Sequence, residues 1–328
     1  MNKYRFIVPV FLLFFLTSCM SDDGQSQDGD DKVAEEIKKI TWEEIPLPEG
    51  KTAVNFAVSN DGRYLFYTTI SNNYIYRYDV VEKKEIKLYG DLSTMGASFV
   101  HVLDGKLYMI TYHDNKSYFS VSEDNGNTIT RNLVATFVPF APQTAFVRAD
   151  FNRLFRMNDG TLLFPHFTNS TSQVNEISIS TDGGKTWTKK NSGIVFIHAS
   201  QGNRLFATPG NWQGDFGIGA SGGGLHYSDN KGDTWTKSDL KYSPQAVDRE
   251  GNLIGADNSQ LQRLKGNKWT IYEWDGNFPF AEKLSNVSSG GTVTQRISDI
   301  EFDQSNNLYL LSSKTGGQGS AIYKTKLN

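Results

Sequence analysis

Several residue types are scarce in this 328-residue chain, and each scarcity excludes a class of protein. It contains a single cysteine, Cys19, so one molecule can form neither a disulfide framework nor a cysteine-rich metal site. Long helical patterns with caps are also absent, which argues against a mainly helical protein. The net charge of −3 gives no electrostatic reason to expect binding to nucleic acid.

Long apolar runs are equally scarce, and the one at residues 6–16 predicts that the chain is secreted across a membrane. It follows Lys3 and Arg5 and is too short to span a bilayer, as in a secretory signal. The Leu-Thr-Ser-Cys sequence at residues 16–19 resembles the lipobox of bacterial lipoproteins. That resemblance implies a signal peptide at residues 1–18, cleavage before Cys19 and lipidation of Cys19.

The segment after Cys19 has the composition of a flexible tether. Residues 19–38 are predominantly polar and acidic, so we predict a lipidated tether that forms no core of its own. Asp22 and Asp23 resemble the acidic export signal of some Gram-negative surface lipoproteins. We therefore expect an outer membrane lipoprotein, anchored by its lipid and exposed at the cell surface.

A short turn motif with the pattern S-x-D-x-G-x-T-W recurs at residues 122–129, 180–187 and 228–235, here called the box turns. Its defining residues are Ser122, Asp124 and Gly126, then Ser180, Asp182, Gly184 and Trp187, and finally Ser228, Asn230, Gly232 and Trp235. The motif resembles the Asp-box, or BNR repeat, of sialidases and other β-propellers. Its Asp or Asn can accept turn N–H groups, its Gly provides a positive φ, and its Trp can pack back over the turn. We expect these residues to have a structural role at the outer edge of the fold.

Residues 39–328 read as short alternating strands, the all-β pattern. Turns rich in Asp, Asn and Gly divide them into six units, at residues 61–62, 104–105, 159–160, 202–203, 251–252 and 306–307. The last unit ends after three strands, whereas residues 40–45 read as a strand that could complete it. We predict a six-bladed β-propeller closed by this N-terminal strand. Seven blades remain open if residues 275–295 hide another.

Candidate ligand-binding residues lie in the connections between strands, at the end of the predicted propeller opposite the box turns. Aromatic rings on loops suit stacking on sugars, and arginines match carboxylates. The ligand-binding candidates are Trp212, Trp274, Arg148, Arg153, His113 and Arg296, and the catalytic candidates are Asp150, Asp215 and His166. We expect no cofactor and no metal, because the Asp- and Asn-rich turns, although able to hold calcium, already have a turn role.

Residues 158–165 and the following box turn also resemble a blade of the sialidase family. That family uses an Arg-Ile-Pro tripeptide and a Tyr–Glu pair; this sequence lacks the first, and no pair can be assigned as the second. Three hypotheses follow: a protein that binds a glycan or polysaccharide, a divergent exo-sialidase-like glycosidase or polysaccharide lyase, and a protein-binding scaffold. We favour glycan binding, with other surface glycan-utilisation proteins as candidate partners.

Overall fold

The computed structural model shows a six-bladed β-propeller. The chain divides into two units, 1–33 and 34–328, and the propeller is the second. The structure describes residues 35–48, 51–69, 72–89, 99–113, 116–136, 154–167, 175–191, 196–208, 211–212, 218–219, 224–256, 260–274, 296–313 and 320–327. Among these residues there is no helix long and apolar enough to cross a membrane.

The chain begins with two strands that join the last blades, β1 (Glu35–Ile40) and β2 (Glu43–Pro46). Blade 1 contains β3 (Ala53–Val58), β4 (Tyr64–Thr69), β5 (Asn72–Asp79) and β6 (Lys84–Tyr89). Blade 2 contains β7 (Phe99–Leu103), β8 (Lys106–His113), β9 (Lys116–Ser122) and β10 (Thr130–Thr136). Blade 3 contains β11 (Phe155–Arg156), β12 (Leu162–Phe167), β13 (Asn175–Ser180) and β14 (Thr188–Asn191).

Blade 4 contains β15 (Phe196–Gln201), β16 (Arg204–Thr208), β19 (His226–Ser228) and β20 (Thr236–Lys237). A small hairpin of β17 (Asn211–Trp212) and β18 (Ile218–Gly219) lies between its second and third strands. Blade 5 contains β21 (Pro244–Val247), β22 (Leu253–Ala256), β23 (Gln260–Lys265) and β24 (Lys268–Trp274). Blade 6 contains β25 (Arg296–Phe302), β26 (Asn307–Ser313) and β27 (Ser320–Lys326).

The ring closes as the sequence predicts. β2 pairs antiparallel with β27, from Glu43 opposite Lys324 to Pro46 opposite Ala321, and is the fourth strand of blade 6. Ile45 of this strand is buried at the seam with blade 1. The N-terminal strand therefore covers the edge that β27 would otherwise expose.

The core lies at the seams between neighbouring blades. At the seam of blades 6 and 1, Tyr309 and Leu311 pack with Phe56 and Leu65, and all four side chains are fully buried. Equivalent clusters of buried side chains fill the other five seams. Each blade thus buries both faces against its neighbours, so the ring is stabilised by packing between consecutive sheets.

Strand β1 begins at Glu35, four residues before the predicted start of the propeller at residue 39. β1 pairs parallel with β24 along its whole length, from Glu35 opposite Trp269 to Ile40 opposite Trp274, and adds a fifth strand to blade 5. Glu36 accepts a bond of 2.7 Å from Lys268, and Glu35 pairs with Lys241. Residues 35–38 resemble a tether in composition because this edge strand keeps its charged side chains in solvent.

Candidate functional site

Each box turn is held by its own side chains. In the second one, the Gly184 N–H donates to Ser180 Oγ at 2.8 Å, and Ser180 Oγ donates to Asp182 Oδ1 at 2.8 Å. Thr186 donates its N–H to Asp182 Oδ1 at 2.9 Å and its hydroxyl to Oδ2 at 2.6 Å. The Trp187 indole N–H donates to the Gly184 carbonyl at 3.0 Å. The polar positions of the pattern are therefore occupied by bonds within the turn.

The other two box turns repeat this geometry, one with a carboxylate and one with an amide. Asp124 accepts the Thr128 N–H at 2.8 Å, and this bond is the main reason why the pKa of Asp124 falls to about 2. Asn230 Oδ1 accepts the Thr234 N–H at 3.0 Å, while its Nδ2 donates to the Thr234 hydroxyl at 2.9 Å. An amide therefore satisfies the turn as a carboxylate does, so the turn does not need a charge.

The box turns also dock on the preceding blade. Gly126 faces Leu88 of blade 1, where an added Cβ would lie 2.6 Å from Leu88 Cδ1. The Trp187 ring stands edge-on to Phe119 of blade 2, with centroids 5.0 Å apart. Trp235 packs in the cluster between blades 3 and 4. The motif contributes to the seams, consistent with a structural role.

At the box-turn end of the sheets, neighbouring blades are joined by contacts between their first hairpins. The hydrogen bonds run from Gln304 N to Asn60 O (2.8 Å), Arg249 Nη2 to Phe302 O (2.6 Å), Gln201 Nε2 to Gly251 O (2.6 Å) and Asn158 N to Asn203 Oδ1 (3.1 Å). Arg156 and Asp104 form an ion pair. These contacts connect blades 1, 6, 5, 4, 3 and 2 in turn, so the polar groups involved are already paired within the protein.

The long connections emerge at the opposite end, here called the loop end. In an antiparallel sheet of four strands, the first and third hairpins share one end, and the second hairpin and the link to the next blade share the other. The longest box-end connections are 123–129, 181–187 and 229–235. At the loop end, connections 90–98, 137–154, 209–225 and 275–295 are all longer. A ligand site built from loops would therefore lie at the loop end.

Most predicted site residues that the structure describes occupy strand ends or starts there. His113 ends β8, His166 is the penultimate residue of β12, and Arg296 begins β25, the innermost strand of blade 6. Trp212 lies in β17 and pairs with Ile218 across the small hairpin of the 209–225 connection. Arg148, Asp150, Arg153 and Asp215 lie outside the described residues, as does Cys19.

Trp274 has a packing role in the structure. It is the last residue of β24, and its ring is tilted at 52° against Trp42 with centroids 5.4 Å apart. Both rings lie against the buried cluster at the seam of blades 5 and 6. A ligand contact by Trp274 stays a prediction.

Sequence reasoning missed His198 at the loop end. It lies at a bulge of β15, the innermost strand of blade 4, and its Nε2 is 2.7 Å from Thr208 Oγ1. Thr208 ends β16, directly before the 209–225 connection that bears Trp212. A half-buried imidazole beside a hydroxyl offers hydrogen-bonding groups to a polar ligand. The sequence pattern alone assigns His198 to a regular strand. The bulge at His198 depends on how β15 pairs with β16, and the sequence of one strand does not indicate it.

Polar side chains also meet inside the ring, across blade 1. Asn55 Nδ2 donates to Asp299 Oδ2 of blade 6 at 3.1 Å, and Asn55 Oδ1 accepts the Val100 N–H of blade 2 at 2.7 Å. Farther towards the box end, His101 Nδ1 and Glu301 Oε1 are 3.1 Å apart. All of them are on innermost strands, so they join three successive blades around the channel. No group of three His, Cys, Asp or Glu among the residues described could hold a metal.

Comparisons with known proteins support the fold. No protein-family model matches the chain, and no curated protein matches it. A luciferin-regenerating enzyme is 11% identical with a TM-score of 0.51, over 88% of this chain and 95% of that chain. A calcium-binding regucalcin from Agrobacterium tumefaciens is 11% identical with a TM-score of 0.50, over 89% and 94%. A GH74 enzyme from Niastella koreensis is 17% identical, with a TM-score of 0.49, over 86% and 46%.

At these identities the similarity concerns the fold alone. The class that the six sheets and their order define is the six-bladed β-propeller.

Proposed function

We propose that this chain is a cell-surface lipoprotein whose propeller binds a glycan at the loop end. One observation carries the proposal: the longest connection within a blade, 209–225, bears Trp212 on a hairpin and directly follows Thr208, whose hydroxyl lies 2.7 Å from His198 Nε2. Glycan sites combine an aromatic ring, which covers the apolar face of a sugar, with side chains that hydrogen bond its hydroxyls. Trp212, His198 and Thr208 provide both kinds of group.

Other predicted residues extend this site. His113, His166 and Arg296 reach the same end of the sheets by their strand positions. Arg148, Arg153, Asp150 and Asp215 belong by sequence to the two long connections 137–154 and 209–225. Arginine would favour a sugar that carries a carboxylate, since the guanidinium fork matches that group.

The membrane part of the proposal rests on the N-terminal sequence. Lipidation at Cys19 would anchor the chain, and the polar residues between Cys19 and β1 would hold the propeller away from the outer membrane. Labelling with a fatty-acid probe tests it: wild type takes up the probe, Cys19→Ser does not, and labelling of both or neither contradicts the anchor.

The binding site is tested with a glycan array on the chain from residue 20 onward. We expect binding that Trp212→Ala abolishes and Trp212→Phe retains, because phenylalanine keeps an aromatic face. His198→Ala should weaken binding without changing the melting temperature. Binding that survives Trp212→Ala, or no glycan bound at all, overturns the proposal.

A turnover assay on the same glycans separates binding from catalysis. A binding protein leaves the bound glycan intact in every variant. Turnover that Asp150→Asn or Asp215→Asn removes identifies a glycosidase on the same scaffold, and turnover lost with His166→Ala points to a lyase base.

A further inference from the structure

A concave site separate from the loop end lies at the seam of blades 5 and 6, where the N-terminal strands cross between them. The chain leaves β1 on blade 5 at Ile40 and enters β2 on blade 6 at Glu43, so Thr41 and Trp42 bridge the two blades. The crossing leaves an open groove of about 520 Å³, here called the seam groove. Its size lies within the usual range of small-molecule sites.

Positive charge dominates the seam groove. Its lining includes four lysines, Lys38, Lys39, Lys324 and Lys326, against one acidic residue, Glu43. This concentration occurs in a chain whose net charge is −3. Like charges that converge on one concavity repel each other, so a bound anion would stabilise this arrangement.

Two of the lysines pair with neither a carboxylate nor an aromatic ring among the described residues. Lys38 lies 3.6 Å from Glu36, and Lys324 lies over the Tyr309 ring, 5.5 Å from its centroid. Lys39 and Lys326, by contrast, have neither an ion pair nor an aromatic partner in the described part of the chain. Both side chains are exposed, so their ammonium groups are available to a ligand.

The wall of the groove is aromatic and is held in place. Trp42 is half-buried and packs against Trp274, while Tyr272 beneath it is fully buried. The Thr325 hydroxyl donates to the Thr41 carbonyl at 2.7 Å, which fixes the crossing against blade 6. An indole ring beside ammonium groups can cover the C–H face of a sugar while the lysines bind its acidic substituent.

We infer that the seam groove binds an acidic saccharide, one that bears carboxylate or sulfate groups. The concavity favours a ring-sized ligand over a flat bilayer surface, and its charge is too local to follow a nucleic acid backbone. This site uses none of the three residues that carry the loop-end proposal, so it stands whether or not the proposed function does.

Isothermal titration of the chain from residue 20 onward tests the inference, with trigalacturonate and a heparin tetrasaccharide as probes and maltotriose as the neutral match. We expect the acidic probes to bind, more weakly as ionic strength rises, and maltotriose not to bind. Lys39→Gln with Lys326→Gln should weaken binding by about tenfold, because each replaces a charged donor by a neutral one.

The control is the pair Lys185→Gln with Lys237→Gln, two exposed lysines outside the groove that change the net charge equally. It should keep the wild-type affinity. Trp42→Phe should bind and Trp42→Ala should bind less, with melting temperatures measured to verify folding. Equal losses in the groove and control pairs would show non-specific charge attraction and overturn the inference. So would binding to phosphatidylglycerol vesicles alone, or no binding of either acidic probe.

Discussion

Gly184 of the second box turn lies against the ring of Phe119 in the preceding blade, so close that a Cβ at this position would overlap the ring. The neighbouring Gly183 also has a positive φ, 73° against 90° for Gly184, but nothing lies within 4 Å of its Cβ position. Position 183 therefore requires glycine only for its backbone conformation. Position 184 requires glycine both for its conformation and for the close approach of blade 2.

We expect Gly184→Ala to destabilise the protein by about 2–4 kcal/mol, from backbone strain plus overpacking against Phe119. Gly183→Ala should cost about 1 kcal/mol, from backbone strain alone. Urea unfolding with a common slope measures both. Equal losses would show that the contact with blade 2 contributes nothing.

The box-turn carboxylates should make stability dependent on acid pH. The pKa of Asp124 is lowered to about 2, mainly by the Thr128 N–H, and the Thr186 hydroxyl and N–H lower the pKa of Asp182. A pKa below the unfolded value of about 3.9 means that the stabilisation is present above pH 4 and is lost as the pH falls towards the folded value.

Replacing both carboxylates by amides should remove this part of the acid sensitivity. Asn230 already occupies the equivalent position in the third box turn with the same bond to a threonine N–H, so Asp124→Asn with Asp182→Asn should fold. Urea midpoints measured from pH 7 to about pH 2 should fall less for this variant than for wild type. Parallel curves would assign the acid sensitivity to other groups.

Asn55 offers the opposite pH dependence. Asn55→Asp would place a second carboxylate beside Asp299, where the amide now donates at 3.1 Å. Like charges raise the pKa of one carboxyl, so the variant should lose roughly 2–4 kcal/mol at pH 7 and recover part of it as the pH falls towards 5. Asn203→Asp is the matched control, since this exposed residue keeps its acceptor role to the Asn158 N–H. A loss that does not change with pH would contradict repulsion between the two carboxylates as its cause.

The two N-terminal strands should differ in what they contribute to folding. A chain that begins at residue 41 lacks β1, with its exposed ion pairs and Ile40, and should fold with a loss of about 2–4 kcal/mol. A chain that begins at residue 50 also lacks β2, which leaves the edge of β27 unpaired and should prevent a stable monomer. Circular dichroism melting and gel filtration compare them. A stable monomer from residue 50 would show that ring closure is dispensable.

Much of the propeller could be predicted because its signals are local. The turns at Asp61-Gly62 and Asp159-Gly160 mark first hairpins, where Gly62 and Gly160 have φ values of 72° and 82°. A residue type that tolerates positive φ is visible in any sequence. The strands next to these turns follow, since alternation is also local. β1 was missed because its partner β24 lies more than two hundred residues away.

The candidate sites were harder to predict, because they depend on contacts between residues that are distant in the sequence. Trp212 could be singled out because it lies in a long glycine-rich connection, outside the box turns. His198 depends on a bulge, and the seam groove depends on Lys39 and Lys326, which come from opposite ends of the chain. No short-range sequence pattern indicates such contacts between residues that are distant in the sequence.

The sequence by itself determined the repeating unit of this protein: strand alternation, turn glycines and box turns, each a property of a few consecutive residues. Tertiary structure alone decided that β1 joins blade 5, that His198 lies beside Thr208 and which lysines share a groove. These outcomes depend on pairing and packing between distant segments, and their free energy exists only after the ring has closed.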